Sequence, residues 1–329
     1  MATKHLTLII NPIAGTLSKH GLESWLLPRL GRMGYDVDVA YTRGPGDATV
    51  LAREAASRGD YGVLACGGDG TVNEIATGLI GTRTALGILP AGSGNGLARH
   101  IGIPVDIARS LHVIEEDNIA DCDYGEVNGR PFFCTFGVGF DAAVSERFAR
   151  KNRRGLNTYI TSAVDEFLTY TPQTYEIVAG DHVITDRAFL VVVCNASQYG
   201  NNAFIAPAAS IRDGLLDVTV VHNGNLLSHA MSGLEMITGT IGTHGKIETF
   251  RAADITIRRP EHATVAHIDG DPVDMPDTLD IRCRPGQLRI FITANKPRFR
   301  PIITPLSLML RDWHITLSRL LGPAPEKGQ

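Results

Sequence analysis

Three glycine-containing segments each follow an apolar run: Asn11-Pro12-Ile13-Ala14-Gly15, Gly67-Gly68-Asp69-Gly70-Thr71 and Pro90-Ala91-Gly92-Ser93-Gly94-Asn95-Gly96. One such segment alone reads as a turn. Three at equivalent strand ends build a concave surface of backbone N–H groups backed by helix N-termini, and that surface suits phosphate. No GxxxxGK[ST] is present and Gly67–Gly70 lacks GxGxxG spacing, so the cradle is neither a P-loop nor a dinucleotide fingerprint. Asp69 sets a carboxylate beside the phosphates, where it would repel them unless it bound a metal or accepted a proton. Thr71 is placed to cap the following helix. Further on, Asp213-Gly214 and Asp269-Gly270 each read as a hairpin turn when taken alone. His262 and His267 have no third ligand at metal spacing and read as surface or core histidines.

The elements that must carry these residues alternate in type. Apolar runs Leu6–Ile10, Val37–Tyr41, Tyr61–Cys66 and Leu86–Leu89 alternate with helical stretches: Leu22, Trp25, Leu26 and Leu30 on one face, then Ala48–Arg58, then a helix from about Thr71. Repeated β-α units predict a parallel sheet, whose ligands sit where strands end and helices begin. After about Asp121 the texture is strand-like, with runs at Phe132–Phe136, Tyr175–Val178, Ala188–Cys194, Leu216–Val221, Asp254–Arg258, Leu279–Cys283 and Leu288–Ile292. Helical inserts are predicted near Thr158–Tyr170 and Leu226–Thr238. The expectation is an α/β domain over 1–121, completed by 295–329, and a mostly antiparallel β-sandwich domain over 122–294.

Composition narrows the function classes. At 329 residues the chain has room for two domains, and 43 % apolar with 20 % charged residues is globular. A net charge of −4 gives no overall attraction to nucleic acid, which is not expected as a partner. Five cysteines without a CxxC pair argue against a disulfide framework and a structural zinc, and for a reducing cytoplasm.

The segment Gly67-Gly68-Asp69-Gly70-Thr71-Val72-Asn73-Glu74, with Asn11-Pro12-x-x-Gly15 before it and Gly92-Ser93-Gly94-Asn95 after it, resembles the diacylglycerol kinase catalytic domain, whose family includes sphingosine and ceramide kinases. The likeness runs on through Asp123-Tyr124-Gly125, Asp213-Gly214-Leu215-Leu216-Asp217 and Asp269-Gly270-Asp271, and so covers most of the chain. It implies an NAD kinase-like or diacylglycerol kinase-like fold and transfer of the γ-phosphate of ATP to a lipid hydroxyl. ATP would lie among Asn11, Pro12, Gly15, Thr42, Gly67, Gly68, Asp69, Gly70, Thr71, Asn73, Glu74, Gly92, Ser93 and Asn95. By the same resemblance Asp213 would ligate Mg2+ with backbone carbonyls near Ser210 and Leu215. Asp269 would accept the hydroxyl proton with Asp69 as its partner, the reverse assignment staying open. Bacterial relatives of this type read Gly-Thr-x-Asn-Asp in the third segment and Asp-Gly-Glu in the last, so Gly96 and Asp271 are departures.

The resemblance leaves the lipid open between diacylglycerol and a sphingoid base or ceramide. Two rivals stay in view: a nucleotide kinase of the NAD kinase type, and a catalytically weak, nucleotide-gated lipid-binding protein. Leu306, Met309, Leu310, Trp313, Leu317, Leu320 and Leu321 share one helical face, so 303–321 forms an amphipathic helix that packs internally, joins a homodimer, or touches the inner membrane face peripherally. Arg147, Arg150, Lys151, Arg153 and Arg154 form a basic cluster that is a solvated face or approaches anionic headgroups.

Overall fold

Each apolar run of the first third becomes a parallel strand. The computed structural model describes residues 4–15, 21–151, 156–167, 169–242, 246–260 and 263–294. Its first part alternates strand and helix: β1 (Lys4–Ile10), α1 (Leu22–Arg32), β2 (Tyr35–Tyr41), α2 (Asp47–Arg58), β3 (Gly62–Gly67), α3 (Asp69–Leu79) and β4 (Ala85–Pro90), then α4 (Gly96–His100) and α5 (Ile107–Glu115). The strands pair in parallel in the order β2-β1-β3-β4. β3 and β4 are buried throughout because helices cover both faces, which is why they read as unbroken apolar runs.

The helix after Gly68 begins at Asp69, two residues before the expected start, and Thr71 is not its cap. Gly68 turns the strand directly into the helix in an extended conformation with no side-chain cap bond.

The second part is strand-rich: β5 (Ile119–Val127), β6 (Arg130–Phe132), β7 (Thr135–Gly139), α6 (Phe140–Ala149), α7 (Leu156–Phe167), β8 (Gln173–Ala179), β9 (His182–Cys194), β10 (Gln198–Gly200), β11 (Ala203–Phe204), β12 (Leu216–His222), α8 (Leu226–Thr238), β13 (Ile247–Ala252), β14 (Asp254–Arg258), β15 (Val265–Ile268), β16 (Asp271–Asp274) and β17 (Thr278–Phe291). Apart from β17 beside β4, its ladders are antiparallel. β9 shows the logic of its two layers. Val191 and Val193 enter a core with Phe132, Phe136, Tyr175, Val218, Ile257 and Ile281. Val192 and Cys194 face a second cluster that Phe140, Phe167, Tyr170 and Met236 of the helical layer close.

Two long strands join the parts, and the first of them, β5, spans the expected boundary at 121. β5 pairs with β17 along nearly its whole length, while the far end of β17 lies parallel to β4 through Ile290 and Leu86. The runs at Leu279–Cys283 and Leu288–Ile292 are thus one strand with a register shift between Arg284 and Leu288, where Gly286 takes φ 63°. Residues 295–329, with the expected tail helix over 303–321, lie outside the described residues.

Candidate active site

The three glycine segments meet backbone to backbone. A Cβ on Gly15 (φ +67°) would stand 2.0 Å from the Ala91 carbonyl oxygen, and one on Gly92 would stand 2.4 Å from the Gly68 Cα. Only glycine permits these approaches, so the spacing read from sequence has a steric cause. Asn11 follows β1, and its Nδ2 donates to Thr71 Oγ1 at 3.0 Å, tying the first segment to the first turn of α3. Pro12 is exposed beside it. Thr42 follows β2 at the same edge and donates its N–H to Ile10. Ser93 is exposed at the rim, and Asn95 closes the third turn by accepting from Gly92 N–H at 3.1 Å and donating to Gly92 O at 2.9 Å. Gly15→Ala is expected to destabilise the fold by about 1–2 kcal/mol, the cost of a left-handed Cβ, and a denaturant melt checks it.

Asp69 sits at the start of α3 with its carboxylate turned onto the third segment. It accepts from Asn95 N–H at 2.8 Å and from Gly96 N–H at 2.7 Å. Burial pushes its carboxyl up from the ordinary value, the charge of Asp269 adds to this, and the Gly96 and Asn95 amides oppose it. Gly96 is accounted for as well. A Cβ there would lie 3.3 Å from Tyr199 O and 3.4 Å from both Cys134 Sγ and Gln198 O, so a larger side chain would crowd two carbonyl oxygens.

Asp269 arrives from the second part, on the two-residue turn between β15 and β16. Asp269 (φ 50°) and Gly270 (φ 90°) both take the left-handed region that such a turn requires. The hairpin reading and the site reading therefore describe one object. Asp269 Oδ1 accepts from Cys134 N–H at 2.7 Å and Thr135 N–H at 3.0 Å, and Oδ2 from Phe133 N–H at 2.9 Å and Asn73 Nδ2 at 2.7 Å. Asn73 belongs to α3, so one side chain couples the glycine cradle to the aspartate turn. Asp271 follows, its Oδ2 3.4 Å from where a Cβ on Gly70 would be.

Glu74 behaves differently from its neighbours in the motif. Its oxygens accept from Gly46 N–H at 2.9 Å and Ala48 N–H at 3.1 Å, a carboxylate set on the N-terminus of α2.

Asp213 lies in the loop before β12, and no hydrogen bond joins it to Asp69 or Asp269 among the described residues. It accepts from Leu215 N–H at 3.2 Å and lies 3.6 Å from Arg251, which also meets Asp217 at 3.0 Å. Ser210 Oγ accepts from Arg212 N–H at 3.3 Å. Asp217 Oδ2 is buried with no hydrogen-bond partner among the described residues, and burial pushes that carboxyl up while Arg251 pulls it down. Two carboxylates sharing one arginine, with one oxygen orphaned, fit a small hard cation. No group of three or more His, Cys, Asp or Glu side chains is placed for a metal among the described residues, so backbone carbonyls must complete such a site. The loop reaches Asp269 indirectly. Asp123 accepts Gly214 N–H at 2.7 Å, Asn195 Nδ2 bridges Asp123 O and Phe133 O, and Phe133 N–H holds Asp269.

Sequence reasoning missed Asn195, the docking of Asp123, and the pair His267–Asp141, all of which contact partners far along the chain. The basic cluster is occupied: Arg147 pairs with Glu166, Arg150 with Glu146 and Lys151 with Asp165. Arg153, Arg154 and His262 lie outside the described residues.

Residues 5–127 match the diacylglycerol kinase catalytic domain, and residues 134–292 match the YegS C-terminal NAD kinase beta sandwich-like domain. A diacylglycerol kinase of Bacillus subtilis (strain 168) is 30 % identical over 230 residues, covering 68 % of this chain and 75 % of that protein. A Pseudomonas syringae pv. tomato protein named "Probable lipid kinase YegS-like" is 27 % identical over 270 residues, covering 81 % of this chain and 87 % of that protein. Among solved structures, a diacylglycerol kinase from Bacillus anthracis str. Sterne superposes with TM-score 0.70 at 23 % identity, over 89 % of this chain and 98 % of that one. Yeast NADH kinase complexed with NADH gives TM-score 0.51 at 11 % identity, over 100 % of this chain and 90 % of that one. These two structures share the fold: an α/β domain followed by an NAD kinase-like β-sandwich.

Proposed function

The chain belongs to the diacylglycerol kinase catalytic domain family, and from that premise we propose that it transfers the γ-phosphate of ATP to the hydroxyl of a lipid, diacylglycerol or a sphingoid base. The observation that carries this reading is the meeting of the glycine cradle with Asp269 through Asn73, at 2.7 Å. Residues 1–121 hold the nucleotide and residues 122–294 the lipid.

ATP lies along the ends of β1, β3 and β4, with its phosphates on the free N–H groups of the first turn of α3, where the helix dipole favours anions. Asn11, Gly15, Thr42, Gly67, Gly68, Gly70, Thr71, Gly92 and Ser93 surround it, while Asn95 and Glu74 hold the loops in shape. Magnesium with the nucleotide neutralises charge that develops on the phosphoryl group. Asp213 with the Ser210 and Leu215 carbonyls would hold a magnesium ion. Asp269 accepts the proton of the lipid hydroxyl as it attacks, and Asp69 orders the loop that presents the phosphate.

The lipid reading draws on an apolar face of the second part. β7 leads from the amides that hold Asp269 to Phe140, which stacks on Phe189 at 4.5 Å and meets Phe167 and Tyr170 edge-on. Beside this cluster α7 and α8 expose Val164, Leu227 and Leu234, and Leu227, Met231 and Ile247 line a groove of about 230 Å³. The apolar chains of a lipid whose hydroxyl reaches Asp269 have this side of the sandwich to lie on. No helix among the described residues is long and apolar enough to cross a membrane.

The test is magnesium-dependent ATP consumption with detergent-solubilised diacylglycerol, sphingosine, dihydrosphingosine, ceramide or NAD, with the product identified by mass. Phosphorylation of a lipid is expected. Phosphorylation of NAD alone would assign the chain to the nucleotide kinases that share the fold, and binding without turnover would make it a nucleotide-gated lipid binder.

A further inference from the structure

His267 and Asp141 form a buried pair that the chemistry above does not use. His267 Nε2 lies 2.9 Å from Asp141 Oδ2, and the two side chains are 1 % and 5 % exposed. The strand beneath is cut to fit them. A Cβ on Gly137 would stand 2.2 Å from Asp141 Oδ2 and 2.4 Å from His267 Nε2. The other ring nitrogen, Nδ1, faces the N–H of Gly270 at 3.4 Å, inside the turn that carries Asp269. With Nδ1 accepting from that amide, the network places the imidazole proton on Nε2, directed at Asp141.

Asp141 has further partners. Its Oδ1 accepts from Ala142 N–H at 2.8 Å at the start of α6, and its Oδ2 accepts from Tyr199 Oη at 3.1 Å. Tyr199 lies on β10, which rests on the third glycine segment. Asn201 N–H donates to Gly94 O at 3.2 Å, a Cβ on Gly200 would stand 3.0 Å from Gly94 Cα, and Arg99 bridges Gly94 O and Asn202 Oδ1 at 2.9 and 3.3 Å. An unbroken line of contacts therefore runs from the nucleotide-facing loop through Tyr199, Asp141 and His267 to Gly270, next to the proposed base.

We propose that His267 and Tyr199 are positioning residues that act through Asp141 to register the Asp269 turn against the glycine loop at 92–96. This rests on the reading of Asp269 as the group that meets the lipid hydroxyl. The carboxylate is held from below by the amides of 133–135 and from the side by Asn73, but its own turn has two left-handed residues and no other side chain bonded to it at Gly270 among the described residues. His267 fills that place. Small displacements of a catalytic group are expensive, with about 1 Å able to remove 10²-fold of rate.

His267→Leu keeps the bulk and removes both nitrogens. In the full-length protein it is expected to lower kcat with lipid by 10- to 100-fold, leaving KM for ATP within about twofold. His267→Gln, which can restore a donor to Asp141, is expected to recover most of the loss. Tyr199→Phe should fall in the same direction by less, and it serves if His267→Leu fails to fold. The discriminating measurement places His267→Leu in an Asp269→Asn background. A positioning role predicts no further loss of the residual rate there, whereas equal fractional losses in both backgrounds, or wild-type kcat in the single variant, would overturn the proposal. Amide hydrogen exchange at 268–271 is read in parallel and needs no turnover. Faster exchange in His267→Leu supports the brace, and unchanged exchange rejects it even if the lipid kinase reading itself were to fail.

Discussion

Asp269→Asn is expected to lower lipid-dependent turnover by about 10²-fold or more while leaving ATP affinity within a few-fold of wild type. The magnitude is that of removing a general base, and retention of ATP follows from placement. Among the described residues Asp269 hydrogen-bonds directly to the nucleotide half through Asn73, and the contacts among Asn11, Gly15, Gly68, Thr71 and Gly92 that shape the cradle do not include it. The substitution is close to isosteric, but it puts an amide NH2 among four donors that converged on a carboxylate. Some loss of thermal stability is therefore expected beside the kinetic effect, and a melting curve must show the variant folded at the assay temperature. Single-turnover kinetics separates the two contributions, because a folded variant with a base missing is slow in the chemical step itself. Near wild-type turnover in a folded variant would remove Asp269 from the chemistry and leave it as the anchor of its hairpin.

The parts of this site that were legible in the sequence are those whose chemistry depends on residue type at short range. Gly15 and Gly92 are readable because no other residue permits backbone contact with the neighbouring loop, and Asp269-Gly270 because two left-handed positions in succession favour this dipeptide. The β-α alternation of the first part was readable for the same reason, since burial on both faces of β3 and β4 leaves no polar position. What was not readable depends on partners distant in the chain. Glu74 stands in the motif but caps α2, because Gly46 and Ala48 come to it through the packing of α2 on α3, and no local spacing records that. His267 had no metal spacing and read as a surface or core histidine. It is in the core, and its partner Asp141 lies 126 positions away. The basic cluster read as one charged face because two of its three acids, Glu166 and Asp165, sit on a different helix, while Glu146 lies one turn before Arg150. β17 read as two strands because Pro285-Gly286 marks a break, and the ladder with β5 carries it across as a register shift.

Asp69→Asn is expected to damage both steps, lowering ATP affinity tenfold or more and turnover by about 10²-fold. Its two oxygens each hold an N–H of the third glycine segment, from Asn95 and from Gly96. Asparagine offers one carbonyl oxygen, so one of these amides would face an NH2 group, and the loop that packs on Gly68 and Gly15 would lose its anchor. That distinguishes it from Asp269→Asn, which spares the cradle. If Asp69→Asn instead kept its ATP affinity and lost only turnover, the assignment would be reversed, with Asp69 taking the proton. The pH profile gives an independent check with a definite sign. Burial raises the Asp69 carboxyl above 3.8, and the nearby negative charge of Asp269 raises it further. The loop needs Asp69 ionised, so the acid limb of wild-type activity is expected above the range of an ordinary carboxylate. Removing the Asp269 charge makes ionisation of Asp69 easier. The acid limb of the residual activity in Asp269→Asn is therefore expected at lower pH than in wild type, and a limb that stayed in place or moved upward would show that the two carboxylates do not share one field.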